Sequence, residues 1–208
     1  MQAAHLAYAL RLALEERQAG QQATDRLELV WSGPEVRGAA SRDTGVVVRE
    51  LFAAAQRSVL VAGFAVEQGR AIFRVLAERM DACPDIAVRM FLNVARRYGD
   101  ETVETQLLKE FADDFRTRQW PGVRMPEVFY DPRALAPGRG PRASLHAKCI
   151  VVDDERVLVT SANFTEAAQE RNIEVGVLVR DAHLARALRG QFETLVVAGQ
   201  LRRVPGLG

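Results

Sequence analysis

The sequence predicts an α/β fold built on a largely parallel sheet. Two observations lead there. From about residue 45 onward, short apolar runs of strand length alternate with stretches whose apolar residues recur at helical spacing. That alternation implies right-handed crossovers between neighbouring strands. The length of 208 residues suits one compact domain with a real core and is short for two.

Each element has its own signal. Residues 3–19 read as a helix, with Leu6, Leu10 and Leu14 four apart and Gly20 as the stop. Such a helix can dock on the domain or on a second chain. Residues 31–45 contain Trp31, Gly33, Pro34, Gly38 and Gly45, a loop composition. We therefore divide the chain into 1–44, a helix and loop packing on the main domain, and 45–208, the domain itself. A helix follows over about 45–56. Ser58–Gly63 is an apolar strand, and Glu67–Met80 is helical with Ile72, Val75 and Leu76 on one face. Ile86–Leu92 is a strand. Glu101–Gln119 is a helix carrying Val103, Leu107, Phe111 and Phe115 at four-residue spacing. Glu127–Tyr130 is a strand closed by Asp131-Pro132. Residues 131–144 form a proline- and glycine-rich loop. Leu145–Val152 and Val157–Ser161 read as a hairpin around Asp153-Asp154-Glu155-Arg156. A helical turn at Thr165–Gln169, a strand at Ile173–Val179 and a closing helix at Asp181–Ala198 complete the chain.

Composition narrows the function classes. Apolar residues make up 48% and charged residues 26%, ordinary for a globular protein. The net charge of +1 gives no global positive field, so any nucleic-acid binding must rest on local patches. The two cysteines, Cys83 and Cys149, lack CxxC partners and read as small buried thiols rather than a zinc site. Arg11, Glu15 and Glu16 interrupt the N-terminal apolar residues, and no run of 18 apolar residues exists. We expect neither a signal peptide nor stable membrane association, and a cytoplasmic location.

The chemistry concentrates in Leu145–Glu174. The string there is His146-x-Lys148-x4-Asp153-x6-Thr160-Ser161-x-Asn163, with Glu174 on the next strand. On a strand, residues two apart share a face, so His146 and Lys148 should project together. Hydrolysis of a phosphodiester piles negative charge on the equatorial oxygens and needs fixed donors and positive charge around phosphorus. Lys148 supplies charge, Asn163 an amide donor and Ser161 a hydroxyl. His146 can attack phosphorus through an unprotonated ring nitrogen. Glu174, bonded to the other nitrogen, would fix that tautomer. None of these roles requires a metal or cofactor. A lone histidine on a strand is usually structural. The full string is far more restrictive, because its polar groups interrupt apolar strands where unpaired polar atoms are costly.

This string resembles the HKD motif of the phospholipase D superfamily. The resemblance implies an α/β/α sandwich with a mixed, largely parallel sheet, and a two-step displacement through a phosphohistidine. It implies His146 as nucleophile, Lys148 and Asn163 as phosphate ligands, Ser161 as a further polar contact, Glu174 as the partner of the histidine, and Asp153 as the structural motif aspartate. Thr160 departs from the family, which commonly has glycine there. The longer run from Arg142 to Val179, with Trp31–Pro34 and Glu127–Pro132, is similar to phospholipase-D-like proteins of bacterial DISARM anti-phage systems. That similarity implies partners among other defence proteins.

Two-step chemistry asks for a second histidine to protonate the leaving oxygen. The chain has three, and neither His5 nor His183 has a lysine and asparagine nearby. The economical arrangement is a homodimer in which two His146 side chains face one phosphate across the two-fold axis. For substrate, a nuclease needs basic flanks. Arg96, Arg97, Arg133, Arg139 and Arg142 are the candidates, on loops at the strand ends. Rival readings are a phospholipase acting on lipid head groups and a non-catalytic phosphate-binding assembly module.

Overall fold

The computed structural model describes residues 11, 14–16, 26–34, 40–138 and 140–208. The helix expected over 3–19 lies mostly outside them; Arg11 and Leu14–Glu16 are helical. The elements in chain order are β1 (Leu27–Ser32), β2 (Arg42–Asp43), α1 (Thr44–Ala53), β3 (Ser58–Gly63), α2 (Gly69–Ile72), α3 (Arg74–Ala82), β4 (Ala87–Leu92) and α4 (Glu104–Asp114). Then come a π-helical turn (Phe115–Gln119), β5 (Glu127–Tyr130), a 3-10 turn (Pro132–Leu135), β6 (Cys149–Val152), β7 (Arg156–Thr160), a second π-helical turn (Ala167–Arg171), β8 (Glu174–Arg180), α5 (Ala182–Val197) and β9 (Arg202–Arg203).

The strands form one mixed sheet in the order β2-β1-β8-β7-β6-β3-β4-β5-β9. Parallel pairing is confined to β3 with β4, β4 with β5, and β1 with β2. The parallel share is thus smaller than expected from the alternation. The antiparallel remainder comes from the hairpin β6–β7 and from β8 and β1, which extend it. Alternation along β3 sorts its side chains into two cores. Val59 and Val61 join Phe52, Phe73, Leu76 and Trp120 under α1 to α4. Leu60 and Ala62 join Phe91, Phe129, Ala185 and Phe192 under α5. The result is the expected three-layer sandwich.

Several elements differ from their sequence signals for identifiable reasons. Residues 31 and 32 belong to a strand, since Leu27–Ser32 pairs along its whole length with β8. The glycines and prolines that signalled a loop begin just after it, at Gly33. The Glu67–Met80 helix is two segments that break at Phe73, whose ring is fully buried against Phe52, Trp120 and Phe164. The Glu101–Gln119 helix starts at Glu104 and ends in the π-helical turn. Asp43 and Asp181 cap α1 and α5, accepting hydrogen bonds from Val46 N and from His183 N and Leu184 N. Cys83 and Cys149 are both free thiols, the second buried.

Asp153 fixes the hairpin to the parallel half of the sheet. Its carboxylate accepts from the backbone N–H groups of Gln56 (2.9 Å), Arg57 (2.7 Å) and Ser58 (2.9 Å). Its own N–H donates to Ser58 O at 2.9 Å, and its φ is +55°, a left-handed conformation at the turn. Burial pushes the carboxyl upward, and the three N–H donors together outweigh it and hold the group below the ordinary carboxylate value.

Asp153→Asn should therefore lose about 1–3 kcal/mol at neutral pH, because the amide leaves part of the N–H set facing a donor. A group with a depressed folded pKa contributes stability above its unfolded value, about pH 4, and loses it as pH falls through the folded value. Urea unfolding at several pH values should show the gap between wild type and variant closing on acidification.

Candidate active site

The motif residues gather along one edge of the sheet. The carboxyl ends of β3 and β4, the approach to β6, the end of β7 and the start of β8 all meet there. His146 and Lys148 precede the regular strand, which begins at Cys149 rather than at Leu145. One ladder bond still reaches them, from Thr160 N to Lys148 O at 3.1 Å. The shared face expected of the pair survives. Lys148 Nζ lies 3.4 Å from each ring nitrogen of His146 and donates to the His146 carbonyl at 3.0 Å.

The two side chains sit in opposite environments. Lys148 is buried, whereas His146 is exposed. Burial lowers the Lys148 pKa from its ordinary value, and the charge of Glu174 opposes that shift. Phe64, on the residue after β3, backs both groups. Its ring centroid is 4.6 Å from that of His146, and the Lys148 ammonium stands 5.2 Å from it. Phe64 escaped the sequence reading because one aromatic residue after an apolar strand looks like more core. Its position at the carboxyl end of β3 was the available signal.

Glu174 does not bond to His146. One carboxylate oxygen accepts from Ser161 Oγ at 2.5 Å, and the other from Asn172 Nδ2 at 3.5 Å. Ser161 is itself locked in the ladder: its N–H donates to Val175 O at 2.9 Å and its Oγ accepts from Val175 N at 3.1 Å. The hydrogen bond to histidine expected of Glu174 is not among those of the described residues; the carboxylate is taken by Ser161 and Asn172, and its charge is felt at Lys148. Asn163 lies on the next loop, pinned by Phe164, whose N–H donates to Ala65 O and whose carbonyl accepts from Glu67 N. Asn163 Oδ1 is buried without a hydrogen-bond partner among the described residues.

Thr160 and Gly176 explain each other. Thr160 Oγ1 accepts from Ala162 N at 3.0 Å and tightens the turn that carries Ser161. Its register partner is Gly176, where an added Cβ would meet Thr160 Cβ and Val159 O, each at 2.9 Å. The side chain present at 160 is accommodated because none is present opposite.

Most of the nominated arginines are engaged within the fold. Arg96 is buried and donates to the carbonyls of Leu135 (2.9 Å), Asp100 (3.1 Å) and Thr102. Arg142 donates to the carbonyls of Ala136 and Gly138. Arg133 pairs with Asp131 at 2.7 Å. Arg97 is exposed and makes no side-chain hydrogen bond or ion pair among the described residues, and Arg139 lies outside them. For Arg96 and Arg142 the loop carbonyls are the physical reason: an irregular segment leaves acceptors that a neighbouring guanidinium fills. His183 is exposed at the start of α5, and His5 lies outside the described residues.

The family described as "Cardiolipin synthase, PLD-like domain" matches residues 48–196, spanning the sheet from α1 through α5 and all of the motif. The chain belongs to the phospholipase D-like family. Its fold is that of the family's solved structures. Against a phospholipase D family member, Nuc from Salmonella typhimurium, the TM-score is 0.53 at 18% identity, covering 85% of this chain and 96% of that one. Against NucT from Helicobacter pylori it is 0.54 at 17% identity, covering 82% and 96%. Against phosphatidylserine synthase from Haemophilus influenzae it is 0.55 at 14% identity, covering 88% and 41%. A curated relative, the DISARM protein DrmC of Bacillus paralicheniformis, is 31% identical over 161 residues. The match takes in 76% of this chain and 59% of that protein's length. Among the described residues no helix is long and apolar enough to cross a membrane.

Glu174→Gln removes the charge that raises the Lys148 pKa while leaving burial to lower it. Lys148 should then titrate at lower pH than in wild type, as followed by NMR of its Cε resonance. An unchanged titration would detach Glu174 from the lysine.

Proposed function

We propose that this chain is a metal-independent phosphodiesterase, acting on nucleic acid in bacterial anti-phage defence from the cytoplasm. The observation that carries the reaction type is the exposed His146 ring with the Lys148 ammonium 3.4 Å from both of its nitrogens. A nucleophile open to solvent stands beside a fixed, partly desolvated positive charge, the combination that a phosphorane-like transition state requires.

In the first step a ring nitrogen of His146 attacks phosphorus, an N–P bond forms and the ester P–O bond breaks. In the second, water attacks phosphorus and releases the histidine. Lys148 carries the equatorial negative charge, and Asn163 and Ser161 supply further polar contacts to the phosphate. Glu174 acts through its hydrogen bond from Ser161 and through its charge on Lys148. The substrate assignment rests on the likeness to the DISARM protein DrmC, and other proteins of such a system are the expected partners. Of the candidate arginines among the described residues, Arg97 is exposed and unpaired, and Arg133 is exposed beside Asp131.

The leaving oxygen needs a proton from a second histidine, which we assign to His146 of another copy. An apolar face bordering the motif supports this. Leu29, Val159, Val175 and Val177 are exposed; Leu29 and Val159 flank Val177 in register, and Val175 bonds to Ser161. Exposed apolar patches of this kind mark interfaces.

Two experiments follow. A generic phosphodiester assay should show turnover that survives EDTA and falls at least about 1,000-fold in His146→Ala, consistent with loss of a covalent nucleophile. No turnover in wild type would favour a phosphate-binding assembly module, and a preference for phospholipid over nucleic acid would favour a lipase. Separately, sedimentation should give a dimer that Val177→Glu converts to monomer with loss of activity. A wild-type monomer that cleaves at full rate would overturn the shared site.

A further inference from the structure

A cavity of about 250 Å³ is bordered by Phe64 and has none of the motif residues in its lining. Its aromatic walls are Phe64, Phe111 and Phe115, and Asn93, Glu67 and Asp114 also line it. Phe64 is the partition between the two spaces, since the same ring packs on His146. Asn93 is a second link. Its Oδ1 accepts from Leu145 N at 3.2 Å, one residue before the nucleophile. Its amide nitrogen has no partner among the described residues. The wall at Phe115 is the start of the π-helical turn that ends α4, and such turns concentrate at functional sites.

The chemistry of this cavity differs from that of the phosphate site. Its volume is small for a whole nucleotide and suits one flat ring system. Aromatic rings offer stacking to any planar base. Glu67 has no side-chain partner among the described residues, whereas Asp114 is drawn partly to Gln119 and Arg118. Carboxylates repel a second phosphate and accept hydrogen bonds from an exocyclic amine. Thymine has no exocyclic amine and offers them one ring N–H flanked by two carbonyl oxygens.

We propose that this cavity holds the base next to the scissile phosphate and prefers an amino-bearing base over thymine. The proposal rests on the nucleic-acid reading above and names the group that reading leaves open. A nucleotide would straddle Phe64, with its phosphate at Lys148 and its base between Phe111 and Phe64.

The test is calorimetric titration of the full chain with dCMP, dTMP, inorganic phosphate and phosphocholine. dCMP should bind about ten-fold or more tightly than phosphate, the advantage expected of one stacked base, and more tightly than dTMP. Phe111→Ala should remove the advantage and leave phosphate affinity unchanged. Because Phe111 is half-buried, Glu67→Gln at an exposed position serves as a second variant; it should narrow the preference for dCMP over dTMP. Equal affinity for dCMP and phosphate, tightest binding of phosphocholine, no binding of any of the four, or indifference of dCMP to both variants would overturn the pocket. The phosphodiester assay reads separately. A chain that turns over nothing yet binds dCMP in this pattern loses the proposed reaction and keeps the base site. A chain that cleaves without base preference keeps the reaction and loses the site.

Discussion

The arrangement of this molecule depends on one carboxylate. Asp153 gathers three consecutive backbone N–H groups at the entrance to β3 and thereby sets where β6 lies against it. Side chains alternate along a strand, so a slip of one residue would send Lys148 to the opposite face of the sheet. The clamp sits at the far end of β6 from the motif, and it acts on the motif through register. Everything at the motif edge inherits that setting: the ladder bond from Thr160 to Lys148, the seat of Ser161 against Val175, and the approach of Glu174 to Ser161.

The motif edge also shows how a mixed sheet builds a site. Parallel strands deliver their carboxyl ends, and antiparallel neighbours deliver alternately a start and an end. Here β3 and β4 contribute the residues Phe64 and Asn93 just beyond them, while the β6–β7–β8 run contributes the charged and hydroxyl groups. Histidine, lysine and carboxylate come from one consecutive stretch of chain, and the aromatic and amide groups beside them come from strands far earlier in the sequence. The lysine is desolvated by that packing while the histidine remains open.

Much of this was legible in the residues themselves. The core strands were, because Ser58–Gly63 and Glu127–Tyr130 are apolar runs bounded by turn signals, and they appear with those bounds. The motif was legible as a set, since its spacing places Asp153 at the turn and sets His146 and Lys148 on one face. What was not legible depended on tertiary partners. β1 carries no strong strand signal and exists because β8 offers it a full antiparallel edge. Arginine on a loop reads as a nucleic-acid ligand, yet Arg96 and Arg142 turn inward because the irregular 131–144 segment exposes carbonyls that need donors. A carboxylate two strands from a histidine suggests a bond between them, and only the ladder reveals that Ser161 takes that carboxylate.

The contact between Thr160 and Gly176 has a consequence for which positions of this rung can change. A Cβ at 176 would meet the Thr160 side chain and also the carbonyl oxygen of Val159, each at 2.9 Å. Shortening the side chain at 160 would relieve the first of these contacts and leave the second. Position 176 is therefore closed to a side chain by the neighbouring backbone, whereas position 160 is open to one only while its partner stays bare. The tolerance of the rung is one-sided.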